Sequence, residues 1–449
     1  MWSDLHLLKT TAGTTARKQA AACAHRLTWP LTLGLLFLVT TLGGCGGRFP
    51  FSSHPDLTRY HSRFPTRPGV IICENTIYQN NSAGLSIRGN RPVRVENCTI
   101  HQNGRAGINL EQSARVAVID SDIYLNRAGG LAADNARQLV VTESKIHRNQ
   151  RGGIRFRVGS RSRLPSASLV LKKSRIFLND QGGIQVLTVP AVPVSIQVAK
   201  NRIHHNQKTG IRIDGNVVGS VDKNEISHNE TAGIAAYAVA WPPPRLDLVE
   251  NRIFFNRGAG IFVHSGISGQ RGISNNWIYS NQRAGIACGL WGMPGIDSVD
   301  LGIFHNTIVG NGSNEEGAGI RNDGHGRVII KNNIVAYNFT TGIMTGNCRH
   351  ATHNLLFANG ETSIDRDGSR DKSFRLDKVQ YAGCSGRQWG DILAPPGFTD
   401  PDRYDFTLRP DSPAKNRAAK LDSPYFQGCA HRDLGALVPP PFSHSPPNR

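Results

Sequence analysis

The chain is predicted to be all-β, a single-stranded parallel β-helix of about twelve coils with a C-terminal cap, and three observations carry that prediction. The first is a recurring grammar. Asn251-Arg-Ile253-Phe-Phe-Asn256, followed after three residues by Gly260-Ile261, returns on both sides of itself. Its anchoring aliphatic recurs at Ile77, Ile100, Ile123, Ile146, Ile176, Ile203, Ile226, Ile253, Ile278, Ile308, Ile334 and Leu356. An Asn stands three residues after eleven of these twelve anchors; after Ile334 it comes one residue late, as Asn338. The second observation is the period of 22 to 30 residues, too short for helical-pair repeats. The third is that no unit contains a helix-length run of helical periodicity.

Within a unit the elements follow in order. From Gly107, the stretches Gly107-Ile-Asn-Leu110, Arg115-Val-Ala-Val-Ile119 and Asp122-Ile123-Tyr alternate as short strands do, with turns between them. Three strands and three turns make one coil. The turns require residues that accept the left-handed backbone, and Gly and Asn accept it best. Stacking then brings equivalent Asn amides into hydrogen-bonded ladders. The Ile column fills the core, and alternate residues face solvent.

These repeats resemble those of polysaccharide lyases, pectin-active hydrolases and alginate epimerases over roughly residues 70–365. The resemblance implies a right-handed parallel β-helix of the pectin lyase-like superfamily. It implies fold more directly than chemistry, because one fold hosts many functions.

The ends of the chain have their own logic. Residues 1–26 are basic and polar, and 27–44 are apolar with small residues at the end, the pattern of an export signal. Leu42-Gly-Gly-Cys45 resembles the bacterial lipoprotein processing site, where Cys45 would be lipidated; a plain cleaved signal or a single membrane anchor is the other reading. Residues 45–69, with Pro50, Pro55, Pro65 and Pro68, read as a tether. A capping segment is expected over 366–438 and a disordered Pro-rich tail over 439–449. In the cap, Asp405-Phe-Thr-Leu-Arg-Pro-Asp-Ser-Pro-Ala414 and Arg432-Asp433-Leu-Gly-Ala436 resemble the closing segment of secreted β-helix proteins. Its task would be to cover the last open rung.

Six cysteines follow Cys45, in a compartment that permits disulfides. Cys384 and Cys429, both in the terminal segment, are where a disulfide would be most useful. Cys73 and Cys98 are offset by two positions along the repeat, so a bond between them would require shifted strands. Cys288 falls on an inward position. No Cys-x-x-Cys pair and no metal-ligand spacing occurs, so neither a metal site nor a cofactor is expected.

The formal charge is +19, and +16 without residues 1–44. A basic surface of this size favours polyanionic partners, the plainer reading being a solvated basic face. In lyases of the resembled architecture the groove lies on the outer face of the strand that here begins with Gly and Ile or Leu. Its outward residues stand two and four places after each Gly. With rungs about 4.8 Å apart, Asp214, Tyr237 and His264 are expected in one vertical file, with Arg155, Arg157 and Arg212 close by. The turns after this strand are longest in the middle coils, where Trp241 and Trp291 offer flat surfaces to sugar rings. The arginines suit carboxylates.

Chemistry on a uronate requires a base for the proton next to the carboxylate and a cation to neutralise that carboxylate. Arginine neutralises but is a poor base. His264 or Tyr237 is the candidate for the proton, oriented by Asp214. The calcium-binding aspartate cluster of many pectate lyases has no counterpart, since Asp134 and Asp214 are three coils apart, and the Asp-Pro-His-Asp motif of alginate epimerases is absent. Three functions fit: a lyase or epimerase acting on an acidic polysaccharide, a non-catalytic glycan-binding surface protein, or a periplasmic accessory or scaffold protein. The expected setting is the cell envelope, as a lipid-anchored monomer whose partner is an acidic polysaccharide and not nucleic acid.

Overall fold

A computed structural model describes residues 70–72, 76–112, 114–160, 162–237, 244–264, 267, 269–289, 301–313, 317–323, 328–345, 350–360, 381–382, 389–421 and 432–436. The export signal, Cys45, the tether, Trp241, Trp291, Cys384, Cys429 and the tail lie outside them. Among the described residues no helix is long and apolar enough to cross a membrane.

From Val70–Ile72 to Leu355–Phe357 the chain winds as a right-handed parallel β-helix, each coil contributing one strand to each of three sheets. The sheets hold 12, 13 and 12 strands and begin at Val70–Ile72, Thr76–Tyr78 and Leu85–Arg88. Ile203 pairs with Ile226 and Ile226 with Ile253, so the predicted anchor column is a real stack, fully buried. In the third sheet Ile211, Ile234 and Ile261 form a second column beside it. One continuous core runs from Ile87 to Tyr381.

The register corrects one anchor. Ile308 pairs with Val335, and Val335 with Leu356. Val335 therefore holds the inward position, Asn338 follows it at the regular spacing, and Ile334 faces outward.

Two polar ladders run the length of the rod. In one, Asn206, Asn229, Asn256 and Asn281 are successive rungs: each donates its backbone N–H and its side-chain amide to the Oδ1 of the next, at 2.9 to 3.1 Å. The other begins with Ser121, Ser144 and Ser174 and continues through Asn201, Asn224, Asn251 and Asn276. It ends where the backbone N–H of Asn354 donates to Asp391 Oδ1 at 2.8 Å.

Of the two roles expected for the repeat asparagines, the amide ladder holds and the left-handed turn does not. Left-handed backbone falls on the residue before each ladder Asn, including His205, His228 and Phe255 at φ 52 to 54, and the ladder Asn residues are not among the left-handed ones. An Asn is needed for its amide. The repeat Gly is needed for close approach: a Cβ at Gly260 would stand 2.6 Å from Ile278 Cγ2 and 2.7 Å from the Gly285 carbonyl.

The C-terminal segment does two things. Tyr381–Ala382 and Ile392–Leu393 extend the third and second sheets past their last full coil. The hairpin of Phe398–Asp400 and Asp405–Leu408 instead lies along the outer flank of the second sheet, with Phe398 and Phe406 packed in one cluster with Phe254, Trp277, Tyr279 and Ile334. Asp433 accepts from Lys415 and from the Asn416 N–H, and Gly435 sits against Ile334 and Thr307 with no room for a side chain. The described part of the segment thus extends two sheets and straps the flank of the second.

Candidate functional site

The outer face of the third sheet carries the predicted constellation. Asp214 pairs in register with Tyr237, and Tyr237 with His264. All three stand at the same position of strands Ile211–Asp214, Ile234–Tyr237 and Ile261–His264, where the pleat turns alternate residues outward. Arg157 precedes Asp214 in the same file by two rungs, through Leu187. Arg155, Gln185 and Arg212 form the neighbouring file.

Arg212 is locked. Its Nη2 lies 2.9 Å and its Nε 3.0 Å from Asp214 Oδ2, and its guanidinium carbon sits 4.8 Å from the centre of the Tyr237 ring. Burial raises the Asp214 carboxyl above the usual range, opposed by the hydrogen bond and charge of Arg212. Burial also raises the Tyr237 phenol, partly offset by Arg212. A phenol raised in this way keeps its proton near neutrality, so Tyr237 is suited to donate a proton and poorly suited to remove one. His264 is partly exposed, and its ring centre lies 5.9 Å from that of Tyr237. Asp214 stands two rungs from His264, about 10 Å, and its carboxylate is held by Arg212. It therefore positions Arg212 over Tyr237, where an orienting contact to His264 was expected.

Of the other cations, Arg155 pairs with Asp134 at 2.9 Å. Arg157 is exposed and makes no ion pair with a described residue. Cys288 is buried and its thiol is pushed up to about 12 by burial, in keeping with a core role. Cys98 is disulfide-bonded, a bond the repeat spacing did not point to.

The sequence reading missed the second sheet's outer face. There Tyr78, His101, Tyr124, His147, Phe177 and His204 stack ring on ring, with centroids 4.6 to 5.3 Å apart. The signal was present as an aromatic residue one place after each anchor in six consecutive coils.

The molecule is a parallel β-solenoid with an ionic and aromatic outer face. The family model described as "Right handed beta helix region" matches residues 65–192 and 166–300, more than half of the chain, and the chain belongs to that family. No curated protein sequence matches closely enough to count as a relative. Among solved structures, the periplasmic alginate epimerase AlgG is 19% identical with a TM-score of 0.43, over 54% of this chain and 59% of that one. The pectate lyase Pel9A is 14% identical with a TM-score of 0.36, over 83% and 86%. This chain spans 59% of the epimerase's length.

Proposed function

We propose that this is an exported, lipid-anchored protein of the cell envelope that binds an acidic polysaccharide along the outer face of the third sheet and processes it as a lyase or epimerase. The observation that carries the reading is the juxtaposition of Tyr237 and His264 on adjacent rungs, with the fixed cation Arg212 beside them. His264 would remove the proton next to a uronate carboxylate, an arginine would neutralise that carboxylate, and Tyr237 would return a proton to the leaving oxygen or to the opposite face of the sugar. Arg155, Arg157, Trp241 and Trp291 would bind the chain on either side. The net charge supports a polyanionic partner, and the disulfide at Cys98 suits an oxidising compartment.

The test is incubation of the purified protein with a panel of polyuronates, alginate and pectate first. Ultraviolet absorbance would report unsaturated ends, and proton NMR epimerised residues. Turnover that falls by about 10²- to 10⁴-fold in His264→Ala supports the reading; turnover unchanged in that variant overturns the assignment of the base. One feature favours a second reading, a glycan-binding surface without chemistry: the Asp214 carboxylate, expected to orient the base, is engaged by Arg212. That reading expects binding lost in Arg157→Ala and no product from any substrate.

A further inference from the structure

Where the turns enter the third sheet, Arg151, Gly152, Arg155, Gln181, Gly182 and Gln185 enclose a pocket of 170 Å³. Two guanidinium groups and two amides meet there, and no carboxylate is among the lining residues. Arg155 donates Nη2 to Asp134 Oδ2, and both its Nε and the Asp134 Oδ1 of that pair are buried without a hydrogen-bond partner. The Arg155 side chain as a whole is 39% exposed, which leaves its guanidinium edge within reach of an acceptor in the pocket. Arg151 is exposed and makes no ion pair with a described residue. Gly152 helps keep the cavity open: a Cβ there would meet only the Gly182 carbonyl, at 3.5 Å. Arg155 and Gln185 are register partners on adjacent rungs, so a guanidinium and an amide present donors side by side.

We propose that this pocket is a carboxylate subsite that holds one uronic acid residue of the polysaccharide. The inference rests on the reading of the groove given above and adds a second point of attachment to it. A planar carboxylate with two acceptor oxygens matches the guanidinium N–H groups of Arg151 and Arg155 and the amides of Gln181 and Gln185. Arg155 lies four rungs before Phe262 and His264 along the sheet, about 19 Å. An extended pyranose chain advances roughly one rung per sugar, so one chain of about five sugars would reach from the pocket to His264.

The experiment is calorimetric titration of the wild-type protein, Arg151→Gln and Arg155→Gln with uronate oligosaccharides of increasing length, and with neutral and sulfated chains of matched length. Thermal melts check that each variant is folded; should Arg155→Gln fail to fold, the exposed Arg151 carries the test. The expected result is wild-type affinity that rises up to about five uronates and then levels, with each variant weakening the longer chains about tenfold and Arg151→Gln leaving the shortest unaffected. Long uronates bound equally by wild type and a folded Arg151→Gln overturn the pocket while leaving the groove reading intact. Equal affinity for the sulfated chains overturns the carboxylate assignment. A wild-type protein that binds no uronate overturns both.

Discussion

A single added methyl group is a severe change at Gly260, because the volume it would occupy already holds Ile278 Cγ2, the Gly285 carbonyl and, at 3.0 Å, Asn281 Nδ2. Backbone of a neighbouring coil cannot withdraw as a side chain can. Gly260→Ala is expected to cost about 1–3 kcal/mol, read as a lower denaturation midpoint; an unchanged midpoint would show that the coils can spread. Asn256 is the polar counterpart. It accepts from the Asn229 N–H and amide, and it donates to Asn281 Oδ1 and the Ile226 carbonyl. Asn256→Ala leaves several buried groups unpaired, each worth about 1–3 kcal/mol. It is expected to be worse than Asn256→Asp, which keeps the acceptor; equal melting temperatures for the two would count against the ladder as a source of stability.

The ring stack on the second sheet places a titratable group inside an apolar element. His204 sits against Phe177 and His205, with Arg175 and Arg202 nearby and His228 and Glu225 beyond. Burial, then the repulsion of His205 and the two arginines, lowers His204 from 6.5 to about 3. His205 and His228 are lowered too, mainly by burial. The unfolded chain takes up protons near pH 6.5 while the folded chain resists them. The stabilising contribution is therefore complete above pH 6.5 and is lost as the pH falls through 6.5 toward 3. The melting temperature should be level above neutrality and decline over that window, and His204→Phe, which copies Phe177, should reduce the decline. An equally steep decline in His204→Phe would place the proton uptake elsewhere. The strap on the same sheet yields a different expectation. Phe406 is buried against Trp277, Tyr279 and Phe398, so Phe406→Ala should cost about 3–5 kcal/mol, with loosening reported by hydrogen exchange at Trp277 and Tyr279.

At the scale of the whole molecule, the rod turns a linear repeat into aligned files, and its charge acts along that line. Binding of a polyuronate should weaken as salt rises beyond about 0.15 M, where the screening length falls to roughly 8 Å; affinity equal at low and high salt would count against electrostatic attraction. Stacking period, Ile column, Asn ladders and the Asp214–Tyr237–His264 file were all legible in the residues, because in a parallel solenoid equal positions in the repeat become neighbours in space. The exceptions are local and physical. Ile334 and Val335 are both aliphatic, and only the register decides which one faces inward. Whether a Gly serves for φ or for close approach depends on what lies in the next coil. That Asp214 holds Arg212 is a matter of side-chain reach, which repeat positions do not encode. By itself the sequence determined the coil, its length and the order of outward residues, since these follow from periodicity. Tertiary structure alone decided the ion pairs, the pocket at Arg155 and the strap across the second sheet, since each joins residues whose meeting depends on packing in three dimensions.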